Sequence, residues 1–123
     1  MAKKTIIVVD DEPNIAQLVK DTLEPAGYNV VIASNGPECL KKLKTTKPDL
    51  MLVDFFMPEM SGRELCAKIR ADSNLKNIKI AFLTVARFSP EGLNELKKMN
   101  ILDNIQKPFD LQDLIARVKK MIG

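Results

Sequence analysis

Residues 50–60 read LMLVDFFMPEM. Four apolar residues lead into a single carboxylate, Asp54, and Pro58 closes the run. Burying an ionised carboxylate costs several kcal/mol unless a partner or a metal compensates it. An acid at the end of a core-like strand therefore implies either a turn residue or a site. The run itself, continuous rather than alternating, suits a strand buried on both faces of a parallel sheet.

Three further runs have the same character: TIIVVD (5–10), NVVIA (29–33) and IKIAFLT (78–84). Helical spacing separates them. Ile15, Leu18, Val19, Thr22 and Leu23 form an apolar stripe that ends near Pro25 and Gly27. Cys39, Leu40 and Leu43 form a shorter one, and Leu65, Cys66 and Ile69 another. Leu93, Leu96 and Met99 follow Ser89-Pro90, an N-cap with proline at the first helical position. Leu111, Leu114, Ile115, Val118 and Ile122 make the last stripe, with Asp110 as its cap. A short, polar fifth strand is expected at 104–106, where an edge position tolerates such composition. Five β-α repeats predict an α/β domain with a mostly parallel sheet, occupying 1–123 and leaving no room for an attached module.

The composition excludes several functions. The chain has 123 residues, 46% hydrophobic and 28% charged, which is ordinary for one soluble domain. No apolar run approaches the ~20 residues that span a bilayer. Acids interrupt the N-terminal run MAKKTIIVVDDE too early for a signal peptide. A cytoplasmic protein without a membrane partner is the expectation. Cys39 and Cys66, lacking CxxC spacing, read as small buried hydrophobes. A net charge of +3 without a nucleic-acid motif implies no direct nucleic-acid partner. The chain contains no histidine, which removes Ser-His and Cys-His pairs and His-ligated zinc. Chemistry is left to carboxylates, lysine, threonine and a hard cation.

In open α/β sheets, ligands bind beyond the carboxyl ends of the strands. Asp10 and Asp11 end the first run, Asp54 the third and Thr84 the fourth, and Lys107 follows the fifth. Each has a plain reading, as helix cap, turn, strand residue or solvated lysine. Together they form one rim. Three neighbouring carboxylates raise one another's pKa and need cations to stay ionised. Mg²⁺ accepts carboxylate oxygens and keeps several waters, and Lys107 adds one more positive charge. Such a site is built to receive an anion, and an Asp carboxylate can serve as a nucleophile that forms an acyl phosphate.

VVDDEP (8–13), LVDFFMPEMSG (52–62), LT (83–84) and KPF (107–109) resemble the response-regulator receiver domain, the CheY-like module of two-component signalling. The resemblance covers essentially the whole chain. It implies a doubly wound, flavodoxin-like (βα)5 fold with strand order 2-1-3-4-5. It also implies Asp54 as phosphoacceptor, and an Mg²⁺ held by Asp10, Asp11, Asp54 and the backbone carbonyl of Phe56, with Asp11 the more direct ligand of the acidic pair. Thr84 corresponds to the switch hydroxyl and Lys107 to the lysine that contacts a phosphoryl oxygen. The Lys107–Pro108 bond would be cis. The implied partners are a sensor histidine kinase or histidine phosphotransfer protein and a downstream protein. Asp103 and Arg117 match positions that pair across dimers in one subfamily, implying a weak homodimer through the fourth helix, fifth strand and fifth helix.

Three departures from the family pattern bear on switching. Asn104 stands where an aromatic residue is common, Val85 where Ala or Gly is usual, and Phe56 where many relatives carry a polar residue. Other readings are a non-phosphorylated domain that kept the fold, an Mg²⁺-dependent Asp-nucleophile phosphatase and a flavin-binding protein. The phosphatase usually needs a second Asp where Phe56 stands. The flavin reading lacks a Gly/Ser/Thr-rich loop after the first strand, which here carries Asp-Asp-Glu.

Overall fold

The computed structural model describes residues 3–123. Five strands alternate with five helices: β1 (Thr5–Val9), α1 (Pro13–Leu23), β2 (Asn29–Ala33), α2 (Gly36–Lys42), β3 (Leu50–Asp54), α3 (Gly62–Ala71), β4 (Ile80–Thr84), α4 (Pro90–Lys98), β5 (Ile101–Gln106) and α5 (Leu111–Ile122). All strand pairs are parallel, in the order β2-β1-β3-β4-β5. This is the doubly wound α/β arrangement that the resemblance implies.

Strand side chains alternate between faces, and here both faces are covered. Ile6, Val8, Leu50, Leu52, Ala81 and Leu83 pack under α1 and α5, against Val19, Leu23, Leu114 and Val118. Ile7, Val9, Met51, Val53, Ile80 and Phe82 pack under α2, α3 and α4, against Cys39, Leu65, Cys66, Ile69 and Leu96. The two cores explain why these strands read as unbroken apolar runs. Burial pushes both thiols, Cys39 and Cys66, up to about 12, as expected for cysteines that act as small hydrophobes.

The helix starts follow local chemistry. Ser89 Oγ accepts from Gly92 N at 3.1 Å with Pro90 in the first turn, and Asp110 Oδ1 accepts from Gln112 N and Asp113 N at 2.7 and 3.1 Å. Ser61 and Asn35 cap α3 and α2 in the same way. The predicted stripes are narrower than expected, because Leu18, Leu93 and Leu111 are each at least 40% exposed.

β5 differs most from expectation. It starts at Ile101, not 104, and its pairing with β4 contains a register shift between the Ile80 and Phe82 pairs. As an edge strand it is held by backbone pairing on one side, so its polar composition does not mark its length. A second unanticipated feature is Arg70, near the end of α3. Its Nε donates to Met99 O (2.8 Å), Nη1 to Lys76 O and Ile78 O (2.8 and 2.7 Å), and Nη2 to Asn100 O (3.2 Å). One side chain thus ties α3 to the turn before β4 and to the end of α4.

Candidate functional site

The parallel sheet delivers the carboxyl ends of β1, β3 and β4 to one rim. Asp10 follows β1 directly, and its backbone N–H continues the pairing by donating to Ala33 O at 3.1 Å. Asp54 is the last residue of β3, a central strand whose pairing with β1 ends at Val53, and sits opposite Leu83 of β4. Both acids are buried, at 1% and 5% exposure. Helix capping does not account for Asp10. The N-cap of α1 is Glu12, which makes no side-chain cap bond, whereas Asp10 Oδ1 accepts from Glu12 N at 2.9 Å.

Lys107, the residue after β5, closes the site. Its backbone N–H donates to Thr84 O at 2.9 Å, and the Lys107–Pro108 peptide is cis. The ammonium reaches Asp10 Oδ2 at 2.9 Å and Asp54 Oδ2 at 3.5 Å. Burial pulls the lysine's pKa down, but the hydrogen bond to Asp10 and the charges of Asp10, Asp54 and Glu12 outweigh it, leaving a net rise. Lys107 is therefore a cation at neutral pH.

Asp54 is perturbed in the opposite sense. Burial and the adjacent Asp10 carboxylate lift its pKa from 3.8 to about 6, while Lys107 and the Phe56 N–H partly counter them and Asp11 adds slightly. Phe56 N lies 3.3 Å from Asp54 Oδ1. A single ammonium thus does not compensate the acids on this rim, and the uncompensated charge is what a cation would satisfy.

Carboxylate oxygens of Asp10, Glu12 and Asp54 all lie within 4.8 Å of one another. These hard oxygen donors suit a small divalent cation that keeps part of its water shell. The Phe56 carbonyl accepts no hydrogen bond among the described residues. Asp11 is exposed and outside this group, and Glu12, also exposed, occupies the third place. The sequence signal for Glu12 was its position in the unbroken acidic run DDE.

Thr84 is fully buried, and its Oγ1 accepts from Ala86 N at 2.9 Å. Val85 beside it is 65% exposed. Asn104 packs opposite Phe82, and its Oδ1 is buried without a hydrogen-bond partner among the described residues. Phe55 and Phe56, adjacent in sequence, separate in role. Phe55 is the hub of three edge-on aromatic contacts, with Phe56, Phe82 and Phe88 at 5.1, 5.2 and 5.1 Å. Phe56 is 56% exposed and stands beside Asp54. Away from the rim, Asp103 and Arg117 meet within one chain: Arg117 Nη1 contacts both Asp103 oxygens at 2.8 and 2.9 Å, and Nε donates to Asp113 at 2.8 Å.

The family model described as the response regulator receiver domain matches residues 6–119. The alkaline phosphatase synthesis transcriptional regulatory protein PhoP of Bacillus subtilis is 37% identical over 119 residues, covering 97% of this chain and 48% of that protein. The hybrid signal transduction histidine kinase D of Dictyostelium discoideum is 34% identical over 98% of this chain, and the match covers 8% of that protein. A chemotaxis response regulator of Vibrio cholerae superposes with a TM-score of 0.88 at 32% identity, covering 98% of this chain and 99% of that one. The chain spans about half the length of several curated relatives it matches, including the Bacillus regulator. A family model over most of the chain, a common fold and an acidic rim closed by Lys107 lead to one conclusion: the chain belongs to the response-regulator receiver domain family.

Proposed function

We propose that the protein is a phosphoacceptor switch whose Asp54 takes a phosphoryl group from a partner's phosphohistidine. The observation that carries this reading is the burial of Asp54 between Asp10 and Lys107 at the end of a central strand. The chain lacks histidine, so the donor is a sensor histidine kinase, a histidine phosphotransfer protein or a small acyl phosphate. Attack by an Asp54 oxygen on phosphorus forms the acyl phosphate and releases the donor imidazole.

Asp10 and Asp54, with Asp11 or Glu12 and the Phe56 carbonyl, would hold Mg²⁺. When bound, that ion supplies charge neutralisation at the transferring phosphoryl oxygens. The chain's own part is positioning. β3 presents Asp54 on a rigid strand end, Lys107 offers its ammonium to one phosphoryl oxygen, and Thr84 offers its hydroxyl to another. Thr84 Oγ1 now accepts from Ala86 N, and its movement toward a phosphoryl oxygen, to which it would donate, would draw the loop before α4 with it. The regulated output is then a surface that includes α4 and β5, read by a downstream protein.

Intact-mass analysis tests the reading. With acetyl phosphate and Mg²⁺ the chain should gain one hydroxylamine-labile phosphoryl group, and EDTA should prevent it. Absence of any adduct supports instead a domain that kept the fold without the chemistry.

The Phe56 ring, exposed and two residues beyond Asp54, is proposed to hinder the water that hydrolyses the acyl phosphate. Phe56→Asn should shorten the phosphoryl half-life about tenfold, corresponding to about 1.4 kcal/mol in the barrier. An unchanged or longer half-life in the variant overturns this role. A homodimer through α4, β5 and α5 is also proposed, in which Asp103 and Arg117 exchange their present pairing for one across the interface. Sedimentation velocity with and without beryllofluoride checks it, with a shift to dimer expected on addition and a monomer in both conditions counting against it.

A further inference from the structure

In this fold the C-terminal ends of the helices lie at the edge opposite Asp54, and the last turns of α2, α3, α4 and α5 each carry two basic residues. Cations there complement the helix dipole, which by itself explains them. A groove between α3 and α4 exceeds that explanation. Its upper part, of about 550 Å³, is lined by Arg63 and Arg70 of α3, by Lys98 and Asn100 at the end of α4, and by Lys76 before β4. Arg70, Lys76, Asn77 and Asn100 also line the adjoining cavity of about 290 Å³, which continues to Lys79 and Leu102. Five cations thus border these adjoining concave parts, the Lys79 ammonium being held on Met121 O of α5 at 3.0 Å, and no Asp or Glu lines either part.

We propose that this groove docks an extended, Asp/Glu-rich segment of a partner protein. Its central cation is held in place without a counter-charge: Arg70 hydrogen-bonds four carbonyls and no carboxylate. Arg63 is paired at the groove's upper end with Glu95 of α4 at 2.8 Å, so the lower part carries the unbalanced charge. A concave surface lined by one sign of charge focuses its field and draws in ligands of the other sign. Asn77 and Asn100 add amide donors that carboxylates accept. No aromatic side chain lines the groove, whereas sequence-tolerant binding of single-stranded nucleic acid relies on aromatic stacking platforms. The lower part of the groove, with Lys76, Lys79 and Asn100, lies toward the end of the fold opposite Asp54.

The test is an amide-resolved NMR titration of the whole chain, in EDTA, with an oligoglutamate peptide as probe. Expected are shifts at Ala67, Lys76, Asn77 and Asn100, and at least about tenfold weaker binding on going from low to physiological ionic strength. Lys76→Glu with Lys98→Glu, both at exposed positions, should weaken binding about tenfold, a charge effect of the size expected for two field-contributing lysines. Lys41→Glu with Lys44→Glu on and after α2 changes the net charge equally and should alter binding less than about twofold. Equal loss in both double variants, shifts confined to the Asp54 rim, or equal or tighter binding of an oligothymidylate would each overturn the proposal. Thermal melts of both double variants confirm that the fold is retained.

Discussion

Asp54→Asn is expected to take up no phosphoryl group and yet to be more stable than the parent at pH 7.5. The first half follows from removal of the nucleophilic oxygen. The second follows from linkage. Asp54 titrates near 3.8 when unfolded and is pushed up to about 6 in the fold by burial and by Asp10. Between those values the folded state binds more protons than the unfolded state, so stability falls as pH rises. Above pH 6 the penalty is complete, and a rise of this size corresponds to ~3 kcal/mol. Asn cannot ionise and escapes it. In metal-free buffer the variant should melt about 10 °C above the parent at pH 7.5, by the usual size scaling. The two melting curves should converge toward pH 4. A variant less stable than the parent at pH 7.5, or a gap independent of pH, would show that burial of Asp54 carries no such cost.

The second large effect is expected at Gly62. The first turn of α3 lies directly on the exit of β3, with Gly62 N donating to Phe55 O at 3.0 Å. A Cβ added at Gly62 would stand 2.5 Å from Asp54 O and 2.9 Å from Phe55 Cα, both backbone atoms that cannot rotate away. Gly62→Ala must therefore lift α3, which carries Leu65, Cys66 and Ile69 into the core, or displace the Asp54–Phe55 peptide. A loss of about 3 kcal/mol in urea unfolding is expected, the upper range for overpacking, together with slower phosphoryl uptake. Ser61→Ala separates this from capping, since it removes only the bond to Glu64 N and should cost about 1 kcal/mol. Equal losses in the two variants would mean that the close approach is not what makes glycine necessary at 62.

Much of the fold was legible because burial on both faces leaves an unmistakable trace. Each of β1, β3 and β4 is an apolar run, and each ends at or next to a residue of the site. Asp10, Asp54, Thr84 and Lys107 could be placed on one rim from the order of the runs alone. β5 could not be bounded, since backbone pairing along an edge holds it and its side chains, such as half-exposed Leu102, leave little hydrophobic signal. Glu12 was hidden for a different reason. Three consecutive acids carry no local cue to how each is turned, and the loop after β1 brings a Glu12 oxygen within 4.8 Å of those of Asp10 and Asp54, while Asp11 is exposed.

Residue order by itself determined the alternation of strand and helix, the two-faced core and the chemistry available, because these depend on side-chain type and on periods of about two and 3.6 residues. It also narrowed the chemistry, since a chain without histidine leaves carboxylates, lysine and threonine to carry it. Only the tertiary structure decided which groups share a few ångströms. It brought Lys107 to Asp10 across 97 residues and to Asp54 across about half the chain, made Phe55 an aromatic hub while exposing Phe56, and gathered Arg70 with Lys76 and Lys98 along one groove. Such contacts join residues far apart in sequence through the register of neighbouring strands and the lie of each helix on the sheet. No local pattern encodes those geometries, because they arise when the whole core is packed.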